Sequence, residues 1–99
     1  MNQLKIAVAG ASGRMGHMLI ETILEAQDAT LTGALDIAAS PAVGSDAAAF
    51  LGKPAGVLIE SDFAKGLANS EFLIDFTRPE GTLQHLEYCA AHNIKMIIG

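Results

Sequence analysis

The apolar run Leu4 to Ala9 ends directly in a turn with three glycines, Gly10-Ala11-Ser12-Gly13-Arg14-Met15-Gly16, and behind that turn the apolar period changes. A short continuous apolar run is the mark of a strand buried on both faces. From Arg14 to about Ala26, Met15, Met18, Leu19, Ile23 and Ala26 recur at helical intervals. Strand, glycine turn and helix in immediate succession leave few folds open. One glycine permits the sharp turn, one lets phosphates approach the backbone, and one lets the helix pack close to the strand. The helix start also offers unpaired N–H groups and the positive end of a dipole, which favours an anion. The turn therefore predicts a seat for a dinucleotide pyrophosphate, with Ser12 as candidate N-cap.

The glycines are spaced G-x-x-G-x-x-G rather than the common G-x-G-x-x-G, so the reading leans on its surroundings. Asp36 stands twenty residues beyond Gly16, at the end of a second strand read over Thr30 to Leu35. An acidic side chain there can accept hydrogen bonds from adenosine ribose hydroxyls. Residues 37 to 56 read as a connection with one short helix over Asp46 to Leu51. Val57 to Glu60 reads as a short strand, and Ser61-Asp62 as the start of a brief helix. Phe72 to Phe76 is a buried strand. Thr77-Arg78-Pro79-Glu80 opens a helix to about His92, with Leu83, Leu86 and Ala90 on its buried side. Lys95 to Gly99 is a last strand. This alternation predicts an α/β fold: a Rossmann-like, doubly wound parallel sheet with helices on both faces, present as about five strands and so incomplete. Residues 1–99 then form one dinucleotide-binding domain, and the apolar final strand with no closing helix reads as part of a longer enzyme.

Bulk properties narrow the function. A formal charge of -5 with six scattered basic residues argues against a nucleic-acid surface. The hydrophobic share, 51%, is high for so short a chain and predicts a face covered from outside. Cys89 is the lone cysteine, so no internal disulfide forms and a reducing compartment is expected. No apolar stretch is long enough to cross a bilayer, and the start lacks signal-peptide features, which predicts a cytoplasmic protein.

Single residues divide between ligand and fold. Arg14 on a first helical turn opposes the dipole, a penalty that a bound phosphate offsets. Asp75 is open between touching ligand and capping the turn that follows it. Arg78 reads as a surface residue. His85 and His92 lie two turns apart, roughly 10 Å, too far to share a metal, and are read as structural. Cys89 reads as a small buried residue, and Met15 and Met18 as core filling. No metal site is expected.

Three segments together are similar to the 4-hydroxy-tetrahydrodipicolinate reductase family: Val8 to Gly16, Ile74-Asp75-Phe76-Thr77-Arg78-Pro79-Glu80-Gly81-Thr82, and Ile97-Ile98-Gly99. The middle one is the most specific. The resemblance spans nearly the whole chain but covers only the family's cofactor domain. It implies that NADH or NADPH is bound and that a cyclic, unsaturated dicarboxylate is reduced to tetrahydrodipicolinate, in diaminopimelate and lysine synthesis. By position, Gly10, Ala11, Ser12, Gly13, Arg14 and Met15 would wrap the pyrophosphate and Asp36 would hold the adenosine ribose. Phe76, Thr77 and Gly99 would approach the nicotinamide. The residue after the ribose acid is often arginine in this family. Here it is Ile37, which cannot pair with the 2′-phosphate of NADPH, so NADH is expected to be favoured or well accepted. The family's catalytic residues and most of its homotetramer contacts belong to a following domain. This segment alone is therefore expected to be inactive, with the dicarboxylate met through the missing part. Two other readings stay open: the cofactor domain of another NAD(P)-dependent dehydrogenase, and a non-catalytic NAD(P)H-sensing module.

Overall fold

The computed structural model describes residues 3–98, apart from the side chain of Pro79. Strands and helices alternate along it: β1 (Leu4–Ala9), α1 (Arg14–Glu25), β2 (Ala29–Leu35), α2 (Phe63–Gly66), β3 (Phe72–Asp75), α3 (Pro79–Ala91) and β4 (Lys95–Ile98), with a 3-10 turn at Ala49–Leu51. Every pairing between these strands is parallel and the sheet order is β2-β1-β3-β4. The chain thus leaves β1 to one side and returns to the other, a switch point of the kind where open α/β sheets bind ligands. Register fixes what stands there. Ala9 is level with both Leu35 and Asp75, and Asp75 with Ile98, so Gly10, Asp36 and Phe76 emerge from a single edge.

Two cores lie on opposite faces of the sheet, as the alternation of side chains along a strand requires. Val8, Leu31 and Ala34 pack with Ile20 and Ile23 of α1 and with Ile59. Ala7, Ala9, Leu35 and Leu73 pack with Leu67 and with Cys89 of α3. The doubly wound class expected from the sequence is the one observed.

The helices sit close because glycines let them. A Cβ on Gly16 would lie 2.1 Å from the Gly10 carbonyl oxygen, so α1 rests directly on the end of β1. A Cβ on Gly33 would lie 2.0 Å from the Gly66 carbonyl oxygen, which seats α2 on β2 in the same way. Gly16 facing inward turns Ile20 and Ile23 inward with it, four and seven residues on. Met15 and Met18, expected in the core, are therefore 41% and 52% exposed. In α3 the buried side is His85 and Cys89, whereas Leu83 and Leu86 are 62% and 44% exposed and Ala90 is also exposed. The Asp75 carboxylate at the end of β3 draws His85 inward and rotates the apolar residues out.

The connection after β2 departs from expectation as well. Asp46 accepts backbone hydrogen bonds from Ala48 and Ala55, both at 2.8 Å, and from Gly56 at 2.9 Å. Bonds from Ala55 and Ala48 hold this carboxyl below the ordinary carboxylate range. That turn replaces the expected helix over Asp46 to Leu51 and leaves only the 3-10 turn. Val57 to Glu60 makes isolated bridges, Leu35 to Glu60 and Asp46 to Leu58, rather than a strand, so the described sheet has four strands. His17 of α1 stacks on Phe50 with ring centroids 3.8 Å apart and pins this segment over the helix.

Replacing Gly16 by Ala should destabilise the protein by about 3 kcal/mol, because backbone must shift to admit the methyl group. Gly52 has a positive φ of 75°, but nothing lies within 4 Å of where a methyl group would stand, so Gly52→Ala should cost only about 1 kcal/mol. Urea unfolding of the two variants side by side checks the contrast.

Candidate functional site

At the carboxyl edge of the sheet a cleft of about 320 Å³ is walled by Gly10, by Asp36 to Ala38, by Ser61 and Phe63, and by Thr77, Gly81, Gln84 and His85. Its floor is the turn after β1. Gly10 has φ +76°, a conformation that side chains resist. Its N–H and that of Ala11 both donate to the Leu35 carbonyl, at 2.9 and 3.0 Å, tying the turn to the end of β2. A Cβ on Gly10 would come within 3.3 Å of Thr77 Cγ2, so the turns after β1 and β3 nearly touch.

No side chain caps α1. The expected N-cap, Ser12, is displaced by Gly13, because the Ser12 hydroxyl is directed to Asp36 instead. Asp36 Oδ2 accepts from the Ser12 hydroxyl and from its N–H at 3.0 Å, while Oδ1 accepts from Ile37 N–H at 2.8 Å. Both carboxylate oxygens are thus aimed before any ligand arrives. His17 N–H, bonded to the Gly13 carbonyl at 2.9 Å, closes the first turn.

Of the expected site residues, Gly10, Asp36 and Thr77 share the cleft. Ala11 is buried beneath the turn, and Ser12 lies beside it on Asp36. Gly13, Arg14 and Met15 are exposed along the start of α1. Phe76 is half-exposed at the same edge without lining the cleft. Gly99 lies outside the described residues.

One part of the site went unread in the sequence. Asp75 is fully buried, and its Oδ1 accepts from the N–H of Thr77 at 2.7 Å and from the Thr77 hydroxyl. Its Oδ2 meets His85 Nδ1 at 2.6 Å. The turn-capping reading of Asp75 is therefore correct but incomplete. Burial pushes this carboxyl up, yet hydrogen bonds from Thr77 and His85 outweigh it and hold the group below its ordinary value of 3.8. The available signal was an acid closing an otherwise apolar strand, with a histidine on the helix that follows. Cys89, one turn beyond His85, is buried and its thiol is pushed up by desolvation. Among the described residues no helix is long and apolar enough to cross a membrane.

Comparison with known proteins agrees with this arrangement. Residues 4–99 match the family model described as dihydrodipicolinate reductase, N-terminus. The chain is 86% identical over its full length to the 4-hydroxy-tetrahydrodipicolinate reductase of Herminiimonas arsenicoxydans, and 58% identical to that of Burkholderia pseudomallei strain 1710b. It spans 37% of the length of each. In structure it resembles the dipicolinate-bound dihydrodipicolinate reductase of Paenisporosarcina sp. TG-14, with a TM-score of 0.72 and 19% identity over 98% of this chain and 37% of the other.

Asp75→Asn replaces a buried carboxylate that accepts from Thr77 and meets His85 with an amide that accepts through one oxygen only, so it should lose about 2 kcal/mol of stability. The pH dependence has a definite sign. A depressed carboxyl stabilises the fold above 3.8, and that contribution is lost as pH falls below 3.8 through the folded value. Unfolding midpoints in urea across the acid range should fall less steeply for Asp75→Asn than for the native protein.

Proposed function

Since the chain belongs to the dihydrodipicolinate reductase family, as its N-terminal domain, we propose that it binds a nicotinamide dinucleotide and forms the cofactor half of a 4-hydroxy-tetrahydrodipicolinate reductase. The observation that carries this reading is the shared edge of Gly10, Asp36 and Phe76 at the switch point of a parallel sheet. The residues fit the group. A turn held at positive φ with no Cβ leaves room for a pyrophosphate over Gly10 to Met15, and the uncapped start of α1 offers its N–H groups. Arg14 adds a cation beside them. Asp36 is aimed at ribose hydroxyls, and Phe76 and Thr77 border the nicotinamide end.

When bound, the dinucleotide supplies a hydride to the cyclic dicarboxylate, giving tetrahydrodipicolinate in diaminopimelate and lysine synthesis. This chain's share is orientation: anchoring both ends of the cofactor so that one face of its reactive ring is presented. The intact protein would meet its dicarboxylate, and assemble as a homotetramer, through residues beyond this segment. A reducing, cytoplasmic setting suits its single cysteine.

Cofactor choice follows from Ile37. It lines the cleft next to Asp36, and the cleft's described lining contains no Lys or Arg. A 2′-phosphate placed there would meet a carboxylate and an apolar side chain. Calorimetric titration of the intact protein should find NADH bound at least as tightly as NADPH. Ile37→Arg should raise NADPH affinity about tenfold, and Asp36→Ala should weaken NADH by a similar factor. Clear preference for NADPH in the native protein would overturn the assignment, and failure to bind either nucleotide would overturn the function itself.

A further inference from the structure

The acid just beyond β2 is held by more of the chain than its place after a strand requires. Ser12, in the glycine turn, donates its hydroxyl and, at 3.0 Å, its N–H to the same oxygen, Asp36 Oδ2. Behind it the Ser40 hydroxyl stands 3.4 Å from the Ser12 hydroxyl and accepts from Ala42 N–H at 3.2 Å. The direction of this chain follows from its ends, because an ionised carboxylate only accepts and an amide N–H only donates. The Ser12 proton therefore goes to Asp36. The Ser40 proton, with Ala42 already on that oxygen, goes to Ser12. Ser40 thus keeps the Ser12 hydrogen turned to the carboxylate.

The two oxygens of Asp36 are left unequal. Each carboxylate oxygen accepts about two hydrogen bonds. Oδ2 has both positions filled from Ser12, whereas Oδ1 holds only Ile37 N–H, at 2.8 Å, among the described residues. Asp36 lines the cleft, so a ligand meets a carboxylate with one acceptor position open. An adenosine ribose has two adjacent hydroxyls, and a carboxylate with both oxygens free would take both. Here the second hydroxyl meets an oxygen that is already occupied.

We propose that Ser12 sets the ribose specificity of the cleft: by filling Oδ2 it restricts Asp36 to one of the two hydroxyls of the cofactor's adenosine. This rests on the cofactor reading above and deepens it. Ser12 acts through Asp36, as a positioning residue, and Ser40 supports it from the segment after β2.

The test is calorimetric titration of the intact protein with NADH and with its two analogues that lack the adenosine 2′- or 3′-hydroxyl. One analogue should bind about tenfold more weakly than NADH, the loss of one hydrogen bond to a charged acceptor, and the other within about twofold of it. Ser12→Ala vacates a position on Oδ2, so the second analogue should then also fall behind NADH, by about fivefold. Ser12→Thr, at an exposed position, restores the hydroxyl and with it the native pattern. A role confined to shaping the turn would have Ser12→Ala change all three affinities by one factor and keep the native ratios, which would overturn the proposal. Equal affinities for the two analogues in the native protein, whether weak or strong, overturn it without any variant, should Ser12→Ala not fold. Failure of the native protein to bind NADH would instead remove the cofactor reading on which the proposal stands.

Discussion

The contact between Gly16 and the carbonyl of Gly10 governs much of this molecule. With no Cβ in the way, α1 can rest on the last residue of β1, and the helix start is brought to the sheet edge instead of being held off by a side chain. Helix rotation, the burial of Ile20 and Ile23, and the exposure of Met15 and Met18 all follow from which face that glycine must present. So does the chemistry, because the uncapped start of α1 follows directly on the turn whose Ser12 bonds Asp36 and whose Gly10 faces Thr77. A single absent methyl group links packing to ligand binding.

Asp75 organises the other half of the edge. A carboxylate removed from water must be compensated by hydrogen bonds, and here Thr77 and His85 provide them. The backbone bond to Thr77 shapes the turn after β3, while the bond to His85 fixes the first half of α3 against the sheet. The pair is thus a tether between a loop and a helix as much as a polar feature of the cleft. Phe63 touches both the His85 ring and Tyr88, which extends the same support along α3.

How much of this was legible depended on how local the cause was. The strand, the glycine turn and the helix behind it lie next to one another in the chain, so their fold class and the position of Asp36 could be read directly. The buried face of α3 could not. Leu83, Leu86 and Ala90 have the expected period, but the face chosen is the one carrying His85, and only the three-dimensional placement of Asp75 ten residues earlier decides that. Ser12 failed as an N-cap for the same reason: its better partner, Asp36, is distant in sequence and adjacent in space. Asp46 competes in the same manner, using its carboxylate on Ala55 and Gly56 rather than on a helix of its own. Polar side chains with long-range partners account for these three departures, as the Gly16 contact accounts for the exposure of Met15 and Met18, and apolar period alone carries no information about either.

The segment that failed to become a strand has a consequence for association between molecules. β2 lies at the outer position of the sheet, where unpaired N–H and carbonyl groups offer a template for another chain. Glu60 occupies the end of that row: its N–H donates to the Ala34 carbonyl and its carbonyl accepts from Asp36 N–H, both at 3.0 Å. A short bridge bearing a negative charge thus stands where a foreign strand would dock. By pairing for one residue and then turning away into α2, the chain closes the end of its own exposed edge without extending the sheet, which guards against the edge-to-edge growth that leads to aggregates.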